Sequence, residues 1–289
     1  MFVQFNEMRV CFVIACHNRR QKTLNCIASI VQQVRDTSIE VSVILLDDGS
    51  TDGTADAVLE QFPAIRVIRG SGSLYWNGAM RQALSLAMEG DFDYYVLLND
   101  DTHLYPNALG VLISTHERLS KADRALLIIV GSTQDQKSGQ LTYGGWRQVS
   151  QWNPLKMVKV MPQSEAVLCD TVNGNCVLLS RGVVKLAKNL DGSFTHSMGD
   201  MDYGFRARKL GCKIWVAPGF VGTCDLNAGK GMWTDVRSPV QERWKRMMGP
   251  KGLPPKEWLV FTYRHGGLLW PLLWINPYVK FWIKGLLRF

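Results

Sequence analysis

Two adjacent carboxylates, Asp100 and Asp101, follow Asn99 at the end of the apolar run Tyr94-Tyr95-Val96-Leu97-Leu98. A continuous apolar run of this length is the pattern of a strand buried on both faces. Paired carboxylates at its end repel each other and lose solvation unless a cation lies between them. Hard oxygen ligands suit magnesium or manganese holding phosphates. The alternative is a polar turn that merely ends the strand. Two more acidic clusters stand at expected strand ends or helix starts: Asp47-Asp48, and Asp200 with Asp202. In Asp47-Asp48-Gly49-Ser50-Thr51-Asp52-Gly53-Thr54 the glycines permit tight turns, and Asp52 or Thr51 can cap the next helix. That chemistry accounts for Asp52 and leaves Asp47-Asp48 to be explained.

The elements that must position these groups alternate along the first half. Val10 to Cys16 reads as a buried strand, and Leu24, Ile27, Ala28, Val31 and Val34 recur at helical spacing. Val41 to Leu46 is a second strand, followed by a helix with Ala55, Val58, Leu59 and Phe62 on one face. Ile65 to Ile68 is a third strand, Ala79 to Met88 a helix, and Tyr94 to Leu98 the fourth strand. A helix carrying Leu109, Leu112, Ile113 and His116 precedes a fifth strand, Leu126 to Val130. This rhythm predicts a mostly parallel, doubly wound α/β sheet with ligands at the carboxyl ends of its strands. Residues 131–170 read as loops and short antiparallel strands. Val177 to Leu179 is strand-like, Val183 to Leu190 and Asp202 to Leu210 helix-like, and Lys213 to Ala217 a strand closed by Pro218-Gly219. Gly249 to Pro255 is the candidate hinge.

With 289 residues, 46% of them hydrophobic, the chain can bury a sizeable core. Seven cysteines are scattered without a CxxC pair, several inside apolar runs, which predicts buried reduced thiols rather than disulfides or a zinc site. The first residues lack the length and cleavage region of a signal peptide. Charge is segregated. Residues 237–289 hold ten Lys/Arg and two acidic residues, a net of +8, so the 33 basic and 25 acidic residues overall leave 23 of each before them. That neutrality argues against a nucleic-acid binder. The basic segment also holds five of the ten tryptophans. Its apolar stretch Leu268 to Ile275 is too short to span roughly 30 Å of hydrocarbon. The mixture of aromatics and cations in Phe281 to Arg288 is typical of interfacial segments. The expectation is a main domain over 1–236 and a segment over 237–289 that docks on an anionic membrane surface. A helix pair packed on the main domain, or a subunit contact, is the alternative.

Gly70-Ser71-Gly72-Ser73 lacks the third glycine of a dinucleotide fingerprint, since position 75 is Tyr, and it follows the third strand rather than the first. No P-loop, nucleophile elbow or HExxH helix is present.

Cys16-His17-Asn18-Arg19, Asp47 to Thr54, Asn77-Gly78-Ala79, Asn99-Asp100-Asp101 and Gly199 to Arg206 occur in one order. Together they resemble the GT-A glycosyltransferases of the large inverting family two, over roughly residues 8–225. Leu74-Tyr75-Trp76-Asn77-Gly78 is similar to a bacterial subgroup acting on cell-surface polysaccharides, many of them rhamnosyltransferases.

The resemblance implies a GT-A fold and transfer of a sugar from a nucleotide-sugar donor to a hydroxyl of a glycan or lipid-linked glycan. It implies a cytoplasmic enzyme, peripheral on the inner face of the cell membrane. Asp47 or Asp48 would bind the base, with Ala15, His17, Asn18 and Arg19 lining the same pocket and Asn77 on the donor side. Asp100 would lie near the ribose, and Asp101 would hold magnesium or manganese on the diphosphate. Two departures imply modest metal affinity. Asn99 stands at the first position of the usual Asp-x-Asp, and Gly222-Thr223-Cys224-Asp225 replaces a metal-ligating His. Asp200 matches the catalytic base, with helix N-capping as its alternative. Trp76, Asn173, Gly174 and Asp202 are the candidates for the acceptor side, although Asp202 also has the spacing for an ion pair with Arg206. His196 would assist or be structural, and Trp76, Trp146 and Trp152 would stack on sugars or pack the core. The alternative functions are a catalytically inactive membrane-docking scaffold and a nucleotidyltransferase on a similar sheet. The second lacks its Gly-rich loop after strand one.

Overall fold

The computed structural model describes residues 8–34, 39–226 and 232–286. In chain order these form β1 (Met8–Cys16), α1 (Arg20–Val31), β2 (Ile39–Asp47), α2 (Thr54–Gln61), β3 (Arg66–Arg69), α3 (Tyr75–Glu89), β4 (Tyr94–Asn99), β5 (His103–Leu104), α4 (Ala108–Ala122) and β6 (Leu127–Gln134). There follow β7 (Leu141–Tyr143), β8 (Gly145–Gln148), β9 (Met157–Lys159), β10 (Val167–Cys169), β11 (Thr171–Val172), β12 (Cys176–Ser180), α5 (Arg181–Ala187), α6 (Gly199–Lys209), β13 (Lys213–Thr223), α7 (Val240–Met248), α8 (Pro255–His265) and α9 (Trp270–Leu286).

The main sheet has the order β10-β13-β6-β12-β4-β1-β2-β3, with β5 on β13 and β7 on β6, and β11-β8-β9 form a small second sheet. Helices cover both faces, so the strands read as unbroken apolar runs rather than alternating ones. Along β1 the pleat sends Cys11, Val13 and Ala15 into a core with α3, α5 and α6. Val10, Phe12 and Ile14 go to the opposite core, with α1, α2 and α4. All seven cysteines are buried and free.

Strands β3, β2, β1 and β4 are parallel, as the sequence predicts. Strand β12 runs antiparallel between β4 and β6, with Cys176 opposite Leu98. It therefore starts where β4 ends, and the Asn99 N–H donates to the Asn175 carbonyl at 3.2 Å. This reversal brings the Asn173-Gly174-Asn175 turn to the carboxyl edge that carries the acidic clusters.

Strand β13 does not close at Pro218-Gly219 but continues to Thr223, with irregular register against β6 between Val216 and Phe220. Pro-Gly ordinarily marks a turn, but a bulge absorbs it here and the ladder resumes. The extension carries Cys224 to the end of β4.

The 237–289 segment is not a free appendage. Phe261 of α8 packs against Phe194 and Phe205 at centroid distances of 6.3 and 6.2 Å. Glu257 accepts the Thr195 N–H at 3.1 Å. The expected hinge is a packed turn, with the Leu253 N–H on the Met247 carbonyl at 2.6 Å. Helix α9 buries Tyr278 and Phe281 against Trp244 and Met247. Its other side, continued at Leu268, exposes Leu272, Ile275, Val279, Trp282 and Ile283. Among the described residues no helix is long and apolar enough to cross a membrane. Leu287 and Arg288 of the expected interfacial stretch lie outside the described residues.

Candidate active site

The loops after β1, β2 and β3 are tied into one wall. Asp47 accepts the Ser50 N–H at 2.9 Å. Asp48 accepts the N–H groups of Gly72 at 2.8 Å and of Leu74 and Tyr75 at 2.9 Å, using both carboxylate oxygens. Only 4% exposed, Asp48 is the post around which the 70–75 loop wraps. Gly49, at φ +68°, is needed there, because a Cβ would come within 2.8 Å of Gly72. The Asp48 carboxylate thus joins the loops after β2 and β3. The His17 Nδ1–H donates to the Asp48 carbonyl at 2.6 Å. Asn18, at φ +51°, accepts the Thr51 N–H at 2.8 Å. Asp52 accepts the N–H groups of Thr54 and Arg20, serving the first turns of α2 and α1 together. Ala15 is buried in β1 between Leu46 and Asn99. His17, Asn18 and Arg19 are the exposed members of this wall.

Asn77 lies inside the fold. It has no exposed surface, and its Nδ2 donates to the carbonyls of Asp191 at 2.9 Å and Phe194 at 2.7 Å. It knits α3 to the 191–199 segment.

At the end of β4, one Arg19 nitrogen holds both carboxylates, Asp100 at 3.1 Å and Asp101 at 2.9 Å. Lys22 lies 4.0 Å from Asp101, and the Cys224 thiol donates to the other Asp101 oxygen at 3.4 Å. Burial pushes Asp100 up to about 7; Arg19 opposes that rise and Asp101 adds to it. Its Oδ2 is buried without a hydrogen-bond partner among the described residues. Paired oxygen donors with an unspent lone pair fit a hard divalent cation. No cluster of three or more His, Cys, Asp or Glu poised to hold a metal occurs among the described residues. Protein ligation would therefore come from Asp101 with Asp100, the pattern in which substrate phosphates and water complete the shell. A cleft of about 360 Å³ opens beside Asp101, lined among others by Lys22, His103, Gln136 and Asp225. A larger cleft of about 730 Å³, among Arg9, Asp93 and Arg181, lies at the opposite edge of the sheet, away from these groups.

Asp200 opens α6 and is brought to the β4 edge by the 173–175 turn. The Gly174 N–H donates to its Oδ2 at 2.8 Å and the Met201 N–H to its Oδ1 at 2.8 Å. Burial raises its pKa, and these N–H groups with the Asn173 side chain only partly restore the charged form. The Asn173 Oδ1 also accepts the Trp146 indole N–H at 2.6 Å. Trp76 lies against Gly174, and its indole N–H donates to the Asn99 Oδ1 at 2.7 Å. The Trp76 backbone N–H faces the His196 Nδ1 at 3.4 Å. Burial, with the Lys251 and Arg19 cations nearby, lowers His196 to about 4, so the ring is neutral. Trp152 is 82% exposed and packs no core.

Asp202 has different surroundings from Asp200. Completely buried, it accepts from Arg206 at 2.7 Å, Arg264 at 3.1 Å and His265 at 2.9 Å. It anchors α6 to α8. The helical pairing with Arg206 was legible from spacing, whereas Arg264, His265 and Glu257 of α8 were not, because nothing local links them to α6. The partnership of Asn99 with Trp76 likewise had no sequence signal beyond the missing carboxylate.

The profile of Glycosyl transferase family 2 matches residues 11–185. The chain belongs to this family. Its fold is GT-A: a mannosyltransferase of Pyrobaculum calidifontis, solved with GDP-Man and Mn2+, superposes with a TM-score of 0.57. The match covers 91% of this chain and 66% of that one at 14% identity, and it speaks for the fold alone. The N-acetylglucosaminyl-diphospho-decaprenol L-rhamnosyltransferase of Mycobacterium tuberculosis is 25% identical over 195 residues. That alignment covers 61% of this family 2 chain and 63% of the relative.

Proposed function

We propose that this protein is an inverting glycosyltransferase that moves a sugar from a nucleoside diphosphate sugar to a hydroxyl of a glycan or lipid-linked glycan. The observation that carries this reading is the placement of Asp200. A carboxylate with a raised pKa is held by Gly174 at the start of β12, next to the strand end that bears Asp100 and Asp101. Base and donor motif thus meet on one edge of the sheet.

In the reaction Asp200 takes the proton of the acceptor hydroxyl, and the freed oxygen attacks the anomeric carbon from the side opposite the leaving group. The bond between that carbon and the diphosphate oxygen breaks, and the nucleoside diphosphate leaves with the electron pair. The Arg19 and Lys22 cations, 2.9 and 4.0 Å from Asp101, stand where negative charge develops on that diphosphate. Asp101, with Asp100, would hold a magnesium or manganese ion, which supplies charge neutralisation at the leaving diphosphate. His17, Asn18 and Arg19 offer exposed polar groups to the nucleotide, while Asp47 and Asp48 keep the loops in place. Asn173 and Gly174 act on the acceptor side by fixing Asp200.

The name of the mycobacterial relative supports a lipid-diphosphate acceptor and rhamnose as one donor sugar. The apolar stripe of α9 and the +8 charge of residues 237–289 support docking on an anionic membrane surface, on the cytoplasmic side where nucleotide sugars are made. The test is Asp200→Asn. It should keep nucleotide-sugar binding by calorimetry and lose transfer by about 1,000-fold. Full transfer by this variant would remove Asp200 from the role.

A further inference from the structure

We propose that Asn99 is a positioning residue for the catalytic base and acts through the indole of Trp76. The inference rests on the transferase reading above and extends it to a residue outside the reacting groups.

Asn99 makes two independent ties to the segment that holds Asp200. Its backbone N–H donates to the Asn175 carbonyl at 3.2 Å, and its Oδ1 accepts the Trp76 indole N–H at 2.7 Å. The benzo edge of the same indole, adjoining its N–H, lies on Gly174. A Cβ there would meet Trp76 Cζ2 and Cη2 at 2.5 Å and Asp200 Cβ at 3.4 Å. Gly174 in turn donates its N–H to Asp200 at 2.8 Å. The indole is therefore a rigid spacer between the first residue of the donor motif and the base. Its N–H is fixed by a hydrogen bond, and the adjoining ring edge fits a gap that only glycine leaves. Its backbone end is fixed at the start of α3, where Asn77 is bonded to Asp191 and Phe194.

The residue type follows from the charge around it. An amide oxygen accepts the indole N–H as well as a carboxylate would, without adding a third negative charge beside Asp100 and Asp101. Asn99 is thus a substitution with a use, rather than simply a missing metal ligand. Misplacing a base by about 1 Å costs on the order of 100-fold in rate, and this is the loss the spacer prevents.

The experiment is a double-mutant cycle on the full chain. Asn99→Ala and Trp76→Phe, which keeps the ring and deletes the N–H, should each lower kcat by about 100-fold. Nucleotide-sugar affinity should change little. The double variant should be no worse than either single one, because both cut the same link. Asn99→Asp should recover most of the rate. The acid limb of the kcat/KM profile should move to higher pH in Asn99→Ala, as the Gly174 N–H loosens from Asp200. Additive losses, an effect on donor affinity alone, or wild-type kcat in Trp76→Phe would overturn the proposal. The bond is also read without turnover. The Trp76 indole N–H should exchange slowly with solvent in the wild type and in Asn99→Asp and fast in Asn99→Ala, and fast exchange in the wild type overturns the link. A wild type with slow exchange that binds no nucleotide sugar would instead defeat the transferase reading.

Discussion

Asp200 and Asp202 sit two positions apart on one helix, yet they have different partners, and Asp202→Ala tests the roles proposed for the two. Asp202 has no exposed surface and accepts three hydrogen bonds, from Arg206, Arg264 and His265. Breaking a buried ion cluster by removing the carboxylate its members share costs about 3–5 kcal/mol. The lower end applies, because the Arg206 and Arg264 side chains are 23% and 31% exposed and can turn to water. Arg206 also keeps the Ala187 and Asn189 carbonyls, and Arg264 keeps Asp191. His265, 6% exposed, is the group left stranded. A loss of about 3 kcal/mol lowers Tm by roughly 6 °C in a chain of this size. Thermal denaturation followed by circular dichroism measures it, with Asp202→Asn falling between the two. Asp200→Asn should leave Tm unchanged or higher, since burial already disfavours the charged Asp200. A Tm drop of less than about 2 °C for Asp202→Ala, together with lost transfer, would place Asp202 on substrate and refute the anchoring role.

Three further outcomes are expected. Asp101→Ala should bind nucleotide sugar equally with and without manganese in calorimetry; if manganese still tightens binding by the wild-type factor, the ion is held elsewhere. His196, His265 and Asp202 should each lose their stabilising effect in acid. His196 is lowered to about 4 and His265 is also lowered, each mainly by burial, while bonds from His265 and Arg206 outweigh burial and lower Asp202. For each group the folded state binds its proton later than the unfolded one. The histidine contribution is therefore complete above the ordinary His value of about 6.5 and is lost as pH falls towards 4, that of Asp202 is lost below the ordinary Asp value, and Asp100 and Asp200, both raised by burial, act in the opposite sense. His196→Asn should flatten part of that loss in Tm against pH, and an unchanged slope would contradict the assignment. Leu272→Glu with Val279→Glu should abolish co-flotation with vesicles containing phosphatidylglycerol while sparing transfer to a soluble acceptor. If the wild type floats no better with these than with neutral vesicles, the stripe serves a different partner.

The periodicity of the first half settled the alternation of strands and helices, and with it the edge on which ligands bind. Runs such as Val10–Cys16 and Tyr94–Leu98 are buried on both faces, and burial writes itself into composition. The acidic clusters and their glycines were equally visible, because turns and strand ends have local chemistry. The individual jobs of those residues were decided by contacts far apart in sequence. Asp48 holds a loop some 25 positions on, Asn77 is sealed by carbonyls over 110 positions away, and Asp202 is closed off by α8. The antiparallel β12 has the same apolar run as a parallel strand, so nothing local announced its direction. That direction sets Gly174 beside Asn99 and brings Asp200 to the end of β4. A sequence pattern records how water is excluded and how the chain turns locally. Which polar group is left over to do chemistry depends on which ones the rest of the fold has already used.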